Sequence, residues 1–237
     1  MPDPNLPLLE EAAHKLTPFL GEIAFVGGVT LGLLISDKAA APIRGTTDVD
    51  VIAEIVTYAD YMEFSERLRK ANFTEDAGEK PLTCRWHNGD LILDVLPLNK
   101  EVLGFTNRWH ALALECASSF TLPSGQLIRV ITAPFFLATK MEAFRGRGNM
   151  DYQASHDLED FVAVIEGREN VIQEIAESPS ELREYLVDAA RKLLAEPKFR
   201  DVLPGFVLQD ERVPLIEKRL ETITELRCPE TVDRSPQ

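Results

Sequence analysis

Residues 44–52 read RGTTDVDVI, and two aspartates in this stretch interrupt a run that otherwise favours a β-strand. Asp48 and Asp50 alternate with Val49 and Val51. Valine favours strands whereas aspartate is depleted in them, and side chains two positions apart on a strand point to the same side. The pattern therefore predicts a strand that presents two neighbouring carboxylates. Such a pair is unfavourable unless a cation or a hydrogen-bond network balances the charge.

A third isolated carboxylate, Asp94, stands in another apolar run, LILDVLP. This run follows Asn88-Gly89, a dipeptide typical of the tight turn of a β-hairpin. If the hairpin pairs beside the first strand, Asp94 joins Asp48 and Asp50 in a cluster of three carboxylates. Such a cluster suits hard divalent cations, and two Mg²⁺ ions so held can clamp the oxygens of a phosphoryl-type displacement.

Simpler interpretations of these aspartates stay open. Asp48 and Asp50 could face solvent on an edge strand. Asp94 could instead bond to a backbone group at the end of its strand. The two threonines before the first aspartate, Thr46 and Thr47, are also compatible with an ordinary turn.

A glycine pair, Gly27-Gly28, separates the strand-like run EIAFV from VTLGLLIS, which is predicted to be a helix. Glycines let backbone N–H groups approach a ligand closely, and a helix N-terminus favours phosphate. The same pair is also compatible with a simple tight turn. The glycines therefore support a phosphate-binding loop only in combination with the aspartates.

The character of the predicted elements changes near residue 133. Before it, helices over 6–17 and 58–71 alternate with strand-like runs that include SSFTLP and LIRVIT. After it, the segments up to about residue 227 have helical periodicity. We therefore expect an α+β protein with a mixed sheet, made of an α/β domain over residues 1–132 and a helical domain over residues 133–237.

Composition excludes several classes of protein. The 237 residues are 45% hydrophobic and 27% charged, as in ordinary soluble domains, and no apolar run approaches the ~20 residues of a membrane helix. The first residues lack the regions of a secretory signal, and the three cysteines show no zinc spacing. A formal net charge of −14 opposes broad electrostatic binding of nucleic acid. We expect a cytoplasmic protein that binds neither membrane nor DNA.

The order GG, then DxD, then a lone later aspartate resembles the nucleotidyltransferase superfamily that includes DNA polymerase beta. More narrowly, the stretches FVGGVTLGLL, RGTTDVDVIAEI, LILDVLP, TKMEAFRGRG and SHDLEDFVAVIEGR are similar to AbiEii/AbiGii-type nucleotidyltransferases of bacterial toxin–antitoxin and phage-defence systems. The resemblance extends from residue 23 to residue 168. It implies a nucleotidyltransferase-type mixed sheet with a helical bundle behind it. The implied reaction moves a nucleoside monophosphate from an NTP to an acceptor hydroxyl and releases pyrophosphate.

The resemblance also implies roles for individual positions. Asp48, Asp50 and Asp94 would bind Mg²⁺ or Mn²⁺ and act in catalysis, with Asp94 as the third ligand or as the base for the acceptor hydroxyl. Lys140 would touch the triphosphate and belong to the catalytic residues. The other nucleotide-binding positions would be Gly27, Gly28, Thr46, Thr47, Arg147, Asp157 and Asp160.

The helical positions also have interpretations that do not need the family. Lys140, Arg145 and Arg147 form a basic cluster in an acidic chain, suited either to a polyphosphate or to a solvated helix end. Asp157 and Asp160 are three apart and so share a helix face. That pair is equally compatible with a favourable charge at a helix N-terminus or a salt bridge to Arg145.

Partners and rival functions stay open at this point. The NTP would be the substrate, the acceptor would be tRNA or a small molecule, and a cognate antitoxin is a further partner that the family implies. One rival function is a catalytically silent regulator that binds a nucleotide or a partner with the same fold. Intact Asp48, Asp50 and Asp94 argue against it. A second rival, a metal-dependent phosphohydrolase, lacks a His-rich metal set in this sequence.

Overall fold

A computed structural model describes residues 3–77, 84–104, 106–146 and 150–226. Arg147, one of the predicted nucleotide-binding residues, lies outside these ranges. Within them, no helix has both the length and the apolar character that a membrane span requires.

A seven-stranded mixed sheet lies at the centre of the described residues. Its strands are β1 (Ile23–Val26), β2 (Asp48–Ala53), β3 (Thr74–Glu75), β4 (Arg85–Asn88), β5 (Leu91–Leu96), β6 (Ser118–Thr121) and β7 (Leu127–Val130). The order across the sheet is β3-β4-β5-β2-β1-β7-β6. β2 pairs with β5 and β1 pairs with β7 in parallel, while the other neighbouring pairs are antiparallel. The predicted mixed sheet and α+β class are confirmed.

Eleven α-helices accompany this sheet within the described ranges. They are α1 (Leu6–Lys15), α2 (Leu31–Leu34), α3 (Tyr58–Lys70), α4 (Lys100–Leu103), α5 (His110–Glu115), α6 (Ala133–Arg145), α7 (His156–Gly167), α8 (Val171–Glu177), α9 (Ser180–Ala195), α10 (Pro197–Val202) and α11 (Val213–Thr224). The helices predicted over 6–17 and 58–71 are confirmed as α1 and α3. A capping box begins α3, because Thr57 accepts a hydrogen bond from the backbone N–H of Asp60 and Asp60 accepts one from that of Thr57.

The central strands bury apolar side chains on both faces of the sheet. On β2, Val49 and Val51 belong to an apolar cluster with α1 and α3, whereas Ile52 belongs to a second cluster with α6 to α11. The sheet is therefore covered by helices on each side. Because side chains alternate along a strand, Asp48 and Asp50 share the face of Ile52 and point towards the α6–α11 layer. β2 is flanked by β5 and β1, so the edge-strand interpretation of these aspartates is wrong.

The second apolar cluster crosses the expected domain boundary. It joins Ala24 and Ile52 of the sheet to Phe136 on α6 and Leu158 on α7. The strands lie before residue 132, and helices α6 to α11 lie after it. The division into domains at this residue stays a prediction.

The hairpin of β4 and β5 is confirmed, but its turn comes one residue later than predicted. Gly89 and Asp90 form the turn, and Gly89 has φ of +63°. Asn88, which was predicted as a turn residue, is instead the last residue of β4. This shift moves the partners of β4 by two positions along β5, so that Arg85 lies opposite Asp94.

Leu93 on β5 tests the contribution of the buried sheet face. Its side chain is fully buried, so Leu93→Ala should lower the free energy of unfolding by about 2–5 kcal/mol through lost transfer energy and a residual cavity. Leu208→Ala is the control, since Leu208 is 63% exposed and its truncation should change stability by at most about 0.5 kcal/mol. Chemical denaturation of both variants measures this. Equal losses would contradict the assignment of this face to the core.

Candidate active site

A cleft of about 1300 Å³ lies where β1, β2 and β5 meet α6 and α7. The structure places nine of the predicted site residues in its wall: Gly27, Gly28, Thr46, Thr47, Asp48, Asp50, Asp94, Lys140 and Asp157. Asp160 lies behind this wall, fully buried and ion-paired to Lys140. Two further wall residues, Arg44 and Arg85, were not predicted from the sequence.

Strand register brings the carboxylates together. Asp50 on β2 lies opposite Asp94 on β5, and Asp94 lies opposite Arg85 on β4. These three residues therefore form a row across three adjacent strands. Asp48 is two positions from Asp50 on the same face. The predicted pairing of the hairpin beside the DxD strand is confirmed, and Asp94 sits within its strand rather than at the strand end.

The guanidinium of Arg85 is the counter-ion of two of these carboxylates. Its Nε donates to Oδ1 of Asp94 at 2.8 Å, and its Nη2 donates to Oδ2 of Asp94 at 2.7 Å and to Oδ2 of Asp48 at 3.0 Å. Forked, charge-assisted hydrogen bonds of this kind are strong. The hydrogen bonds from Arg85 to Asp94 raise the pKa of the guanidinium further above its ordinary value. A side chain of the protein thus supplies the cation that balances Asp48 and Asp94.

Asn5 fixes the loop that leads into β2. Its side-chain amide donates to the carbonyl oxygens of Gly28 and Arg44 at 3.2 and 3.1 Å, and its Oδ1 accepts the backbone N–H of Thr46 at 2.8 Å. Thr46 Oγ1 in turn donates to Oδ1 of Asp48 at 2.9 Å. Asn5 is almost completely buried. One amide therefore holds the glycine pair and the threonine loop in a fixed relation, a role that its position before α1 did not reveal.

Gly27 must be a glycine for two independent reasons. Its φ of +76° and ψ of −167° belong to a region that other residues rarely adopt. A Cβ at this position would also lie 2.2 Å from Oδ2 of Asp50. The backbone at the glycine pair is thus packed directly against a carboxylate of the row.

The segment after the glycine pair is shorter than the predicted helix. A single 3₁₀ turn (Gly28–Thr30) leads into the one-turn helix α2. Because helix dipoles grow from aligned peptide units, this segment contributes little charge to the cleft. Any phosphate binding here must come from individual backbone N–H groups.

Lys140 is buried in the cleft wall in the middle of α6. Its Nζ lies 2.6 Å from Oδ2 of Asp160 and 3.3 Å from Oδ1 of Asp157. Nη2 of Arg44 reaches the same Oδ2 of Asp160 at 3.3 Å. The interpretation of Lys140 as a solvated residue at a helix end is wrong, since its side chain is only 9% exposed. This network connects α6 and α7 to the loop that precedes the DxD strand.

Arg145 departs from the predicted basic cluster. Its Nη2 lies 3.7 Å from Oδ2 of Asp188 on α9, and its guanidinium stacks on the ring of Tyr185. Within the described part of the cluster, Lys140 faces the cleft whereas Arg145 packs against α9.

Two titratable side chains in the cleft wall are uncharged at neutral pH. Burial lowers the pKa of His110 to about 4. Burial raises the pKa of the Cys84 thiol to about 11, and the negative charges of Asp94 and Asp50 act in the same direction. Because nucleophilic attack requires the thiolate, Cys84 is not a reactive thiol in this setting.

The donor set suits a divalent cation by its chemistry. The carboxylate oxygens of Asp48, Asp50 and Asp94 are ligands that Mg²⁺ and Mn²⁺ prefer. Asp50 also lies so close to the backbone of Gly27 that a Cβ there would clash with its carboxylate. Yet no three His, Cys, Asp or Glu side chains of the described ranges are arranged to hold a metal ion. Arg85 bridges Asp48 and Asp94 instead. The metal site stays a prediction.

Comparison with models of protein families finds no match, and comparison with curated proteins finds none either. Two solved structures from Helicobacter pylori are similar to this chain over most of their length. The structure of JHP933 is 11% identical, aligns over 92% of this chain and 90% of its own, and has a TM-score of 0.48. One described as a "putative nucleotidyltransferase" is also 11% identical, with 93% of each chain aligned and a TM-score of 0.48.

Gly27→Ala should destabilise the protein by about 1–3 kcal/mol, because it combines an unfavourable backbone conformation with the close approach to Asp50. Gly28→Ala is the matched control. A Cβ on Gly28 would meet Thr46 at 3.5 Å, an ordinary contact. Thermal and chemical denaturation of the two variants compare them, and a Gly28 variant as unstable as the Gly27 variant would contradict this explanation.

Lys140→Met should lower the free energy of unfolding by about 3 kcal/mol, because it leaves the buried Asp160 with Arg44 as its remaining cation. Lys192→Met removes the same charge from an exposed pair with Asp188 and should cost at most about 1 kcal/mol. Urea denaturation at neutral pH measures both. Similar values for the two variants would show that the Lys140 network contributes no more than a surface ion pair.

Proposed function

We propose that the protein is a nucleotidyltransferase, which moves a nucleoside monophosphate from an NTP to an acceptor hydroxyl and releases pyrophosphate. The observation that carries this proposal is the pairing of Asp50 with Asp94 directly against the backbone of Gly27. Carboxylates beside a glycine pair suit a metal-bound polyphosphate. The carboxylates provide oxygen ligands for the cation, and the backbone N–H groups of the glycines are accessible to the phosphates.

The chain's own residues divide the work of the reaction. Asp48, Asp50 and Asp94 would hold Mg²⁺ or Mn²⁺, which when bound supplies positive charge against the phosphate oxygens. The Gly27-Gly28 backbone would orient the triphosphate. Asp94 is also the candidate base for the acceptor hydroxyl, once its bonds to Arg85 open.

The opposite wall of the cleft would contact the other end of the triphosphate. Lys140 and Asp157 line it from α6 and α7, whereas Thr46 and Thr47 line the cleft beside the aspartates. Lys140 is already positioned by Asp157 and Asp160, so it need not be ordered again when a phosphate arrives. Such preorganisation favours binding and catalysis.

The cleft volume of about 1300 Å³ exceeds the range of roughly 300–1,000 Å³ typical of a site for one small ligand. It leaves room for an acceptor group beside the nucleotide. We propose a tRNA end or a small molecule in this space. The narrower proposal is an AbiEii/AbiGii-type enzyme of the cytoplasm with a cognate antitoxin, supported by the motif order and by the contact of Lys140 with Asp157 and Asp160.

One observation favours a second candidate, a catalytically silent regulator that binds a nucleotide or a partner. Arg85 occupies the position between Asp48 and Asp94 where a metal ion would neutralise them. A permanent guanidinium there would allow binding without transfer. The two candidates differ in whether label from an NTP ever reaches an acceptor.

The test is incubation of the protein with each α-labelled NTP, Mg²⁺ and either total RNA or a small-molecule extract, followed by measurement of label transfer. Asp50→Asn and Asp48→Asn should each reduce turnover at least about 100-fold, since a lost ligand removes several kcal/mol of transition-state stabilisation. Asp90→Asn, in the exposed hairpin turn, is the control and should behave as wild type.

An Asp50→Asn protein that keeps more than about a tenth of the wild-type rate would contradict the assignment of this carboxylate. A wild-type protein that binds NTP but transfers no label to any acceptor would favour the regulator instead.

A further inference from the structure

Arg85 links the two carboxylates that a metal ion would have to share. It forms three hydrogen bonds to Asp94 and Asp48, all between 2.7 and 3.0 Å. The proposed reaction assigns it no task. Its backbone is fixed by the β4–β5 pairing, so a change of its ionic partner requires movement of the side chain alone.

We propose that Arg85 is an internal competitor of the metal ion, a positioning residue that neutralises Asp48 and Asp94 in the free protein and must leave before a divalent cation binds there. This inference rests on the proposed function, because it concerns the same carboxylates. It predicts that the metal affinity of the wild-type protein is set by an exchange of cations rather than by the carboxylates alone.

The first reason is that Arg85 and a metal ion would use the same oxygen atoms. Both carboxylate oxygens of Asp94 and Oδ2 of Asp48 accept hydrogen bonds from the guanidinium. A cation ligated by these oxygens would lie within a few ångströms of a fixed positive charge, which is strongly unfavourable. The two cations therefore exclude each other.

The second reason is that the other basic residues described in the wall are committed elsewhere. Arg44 and Lys140 both lie against Asp160, which belongs to α7 on the opposite side of the cleft. Of these three basic residues, Arg85 is therefore the one that neutralises Asp48 and Asp94.

The third reason is that Arg85 has somewhere to go. Its side chain is 24% exposed and lines the open cleft rather than the packed core. An arginine fork that leaves a carboxylate can bind a phosphate in the same bidentate manner. When a triphosphate enters the cleft, Arg85 would thus bind a phosphate group, and the carboxylates would bind the metal ion.

The experiment is Mn²⁺ binding to the full chain without nucleotide, measured from the electron paramagnetic resonance signal of free Mn²⁺. Arg85→Met should raise the affinity for Mn²⁺ at least tenfold over wild type, because the competitor is gone. Arg69→Met is the control, since it removes the same charge from an exposed arginine on α3 that pairs with Glu66 and Glu75. It should stay within about twofold of wild type, as expected for an exposed charge that solvent and salt screen.

Arg85→Lys covers the case in which Arg85→Met does not fold. Lysine keeps the charge but cannot form the fork to both carboxylates, so it should still raise Mn²⁺ affinity severalfold. Circular dichroism melting shows which variants are folded.

The outcomes separate this inference from the proposed function. Wild-type protein that binds Mn²⁺ as tightly as folded Arg85→Met and Arg85→Lys would overturn the competition and leave the metal site standing. Weaker binding in the Arg85 variants would also overturn it, since Arg85 would then hold the carboxylates ready for the metal. No Mn²⁺ binding by any variant, with label transfer also absent, would remove the proposed function and this inference together.

Discussion

The parallel pairing of β2 with β5 is the constraint on which the site depends. It places Asp50 opposite Asp94 in the interior of a sheet, where two carboxylates would repel each other without a balancing cation. The next strand provides that cation, because β4 carries Arg85 opposite Asp94. The negative charges on β2 and β5 are thus balanced by a positive charge on β4, and this balance depends on the register of the three strands.

The same sheet face serves both packing and chemistry. Ile52 and Ala24 pack against the helical layer, while Asp48 and Asp50 stand on that face where it opens into the cleft. The helices that cover the sheet also supply the far wall, through Lys140 on α6. The buried Lys140–Asp160–Arg44 network ties this wall to the loop before β2. The two sides of the cleft are therefore held at a defined distance by charge as well as by apolar contact.

Sequence reasoning succeeded where the signal was local. Strand alternation around Asp48 and Asp50, the hairpin before Asp94 and the limits of α3 all follow from neighbours in the chain. It failed where partners are distant in sequence. Arg85 was not predicted because a hairpin turn at Asn88-Gly89 would place it opposite a residue two positions from Asp94. No sequence pattern near Asn5 indicates that its amide bonds to the backbone of Gly28 and Thr46.

The ion pairs of Lys140 were also not predicted from the sequence. The observed ion pairs with Asp157 and Asp160 exclude a solvated helix end, and contact with a triphosphate stays a prediction. The apolar neighbours of Lys140 on α6 are buried with it. The pairing itself depends on how α6 crosses α7, which no local pattern in either helix specifies.

The strict alternation of side chains along β2 makes the strand sensitive to insertions and deletions. A one-residue insertion or deletion within Asp48–Ala53 would turn every following side chain to the other face of the sheet. An insertion between Asp48 and Asp50 would turn Asp50 towards the apolar cluster with α1 and α3 and Val51 towards the cleft. Point substitutions at Val49 or Val51 leave this phase intact, whereas a change of length within the strand alters it for every following residue.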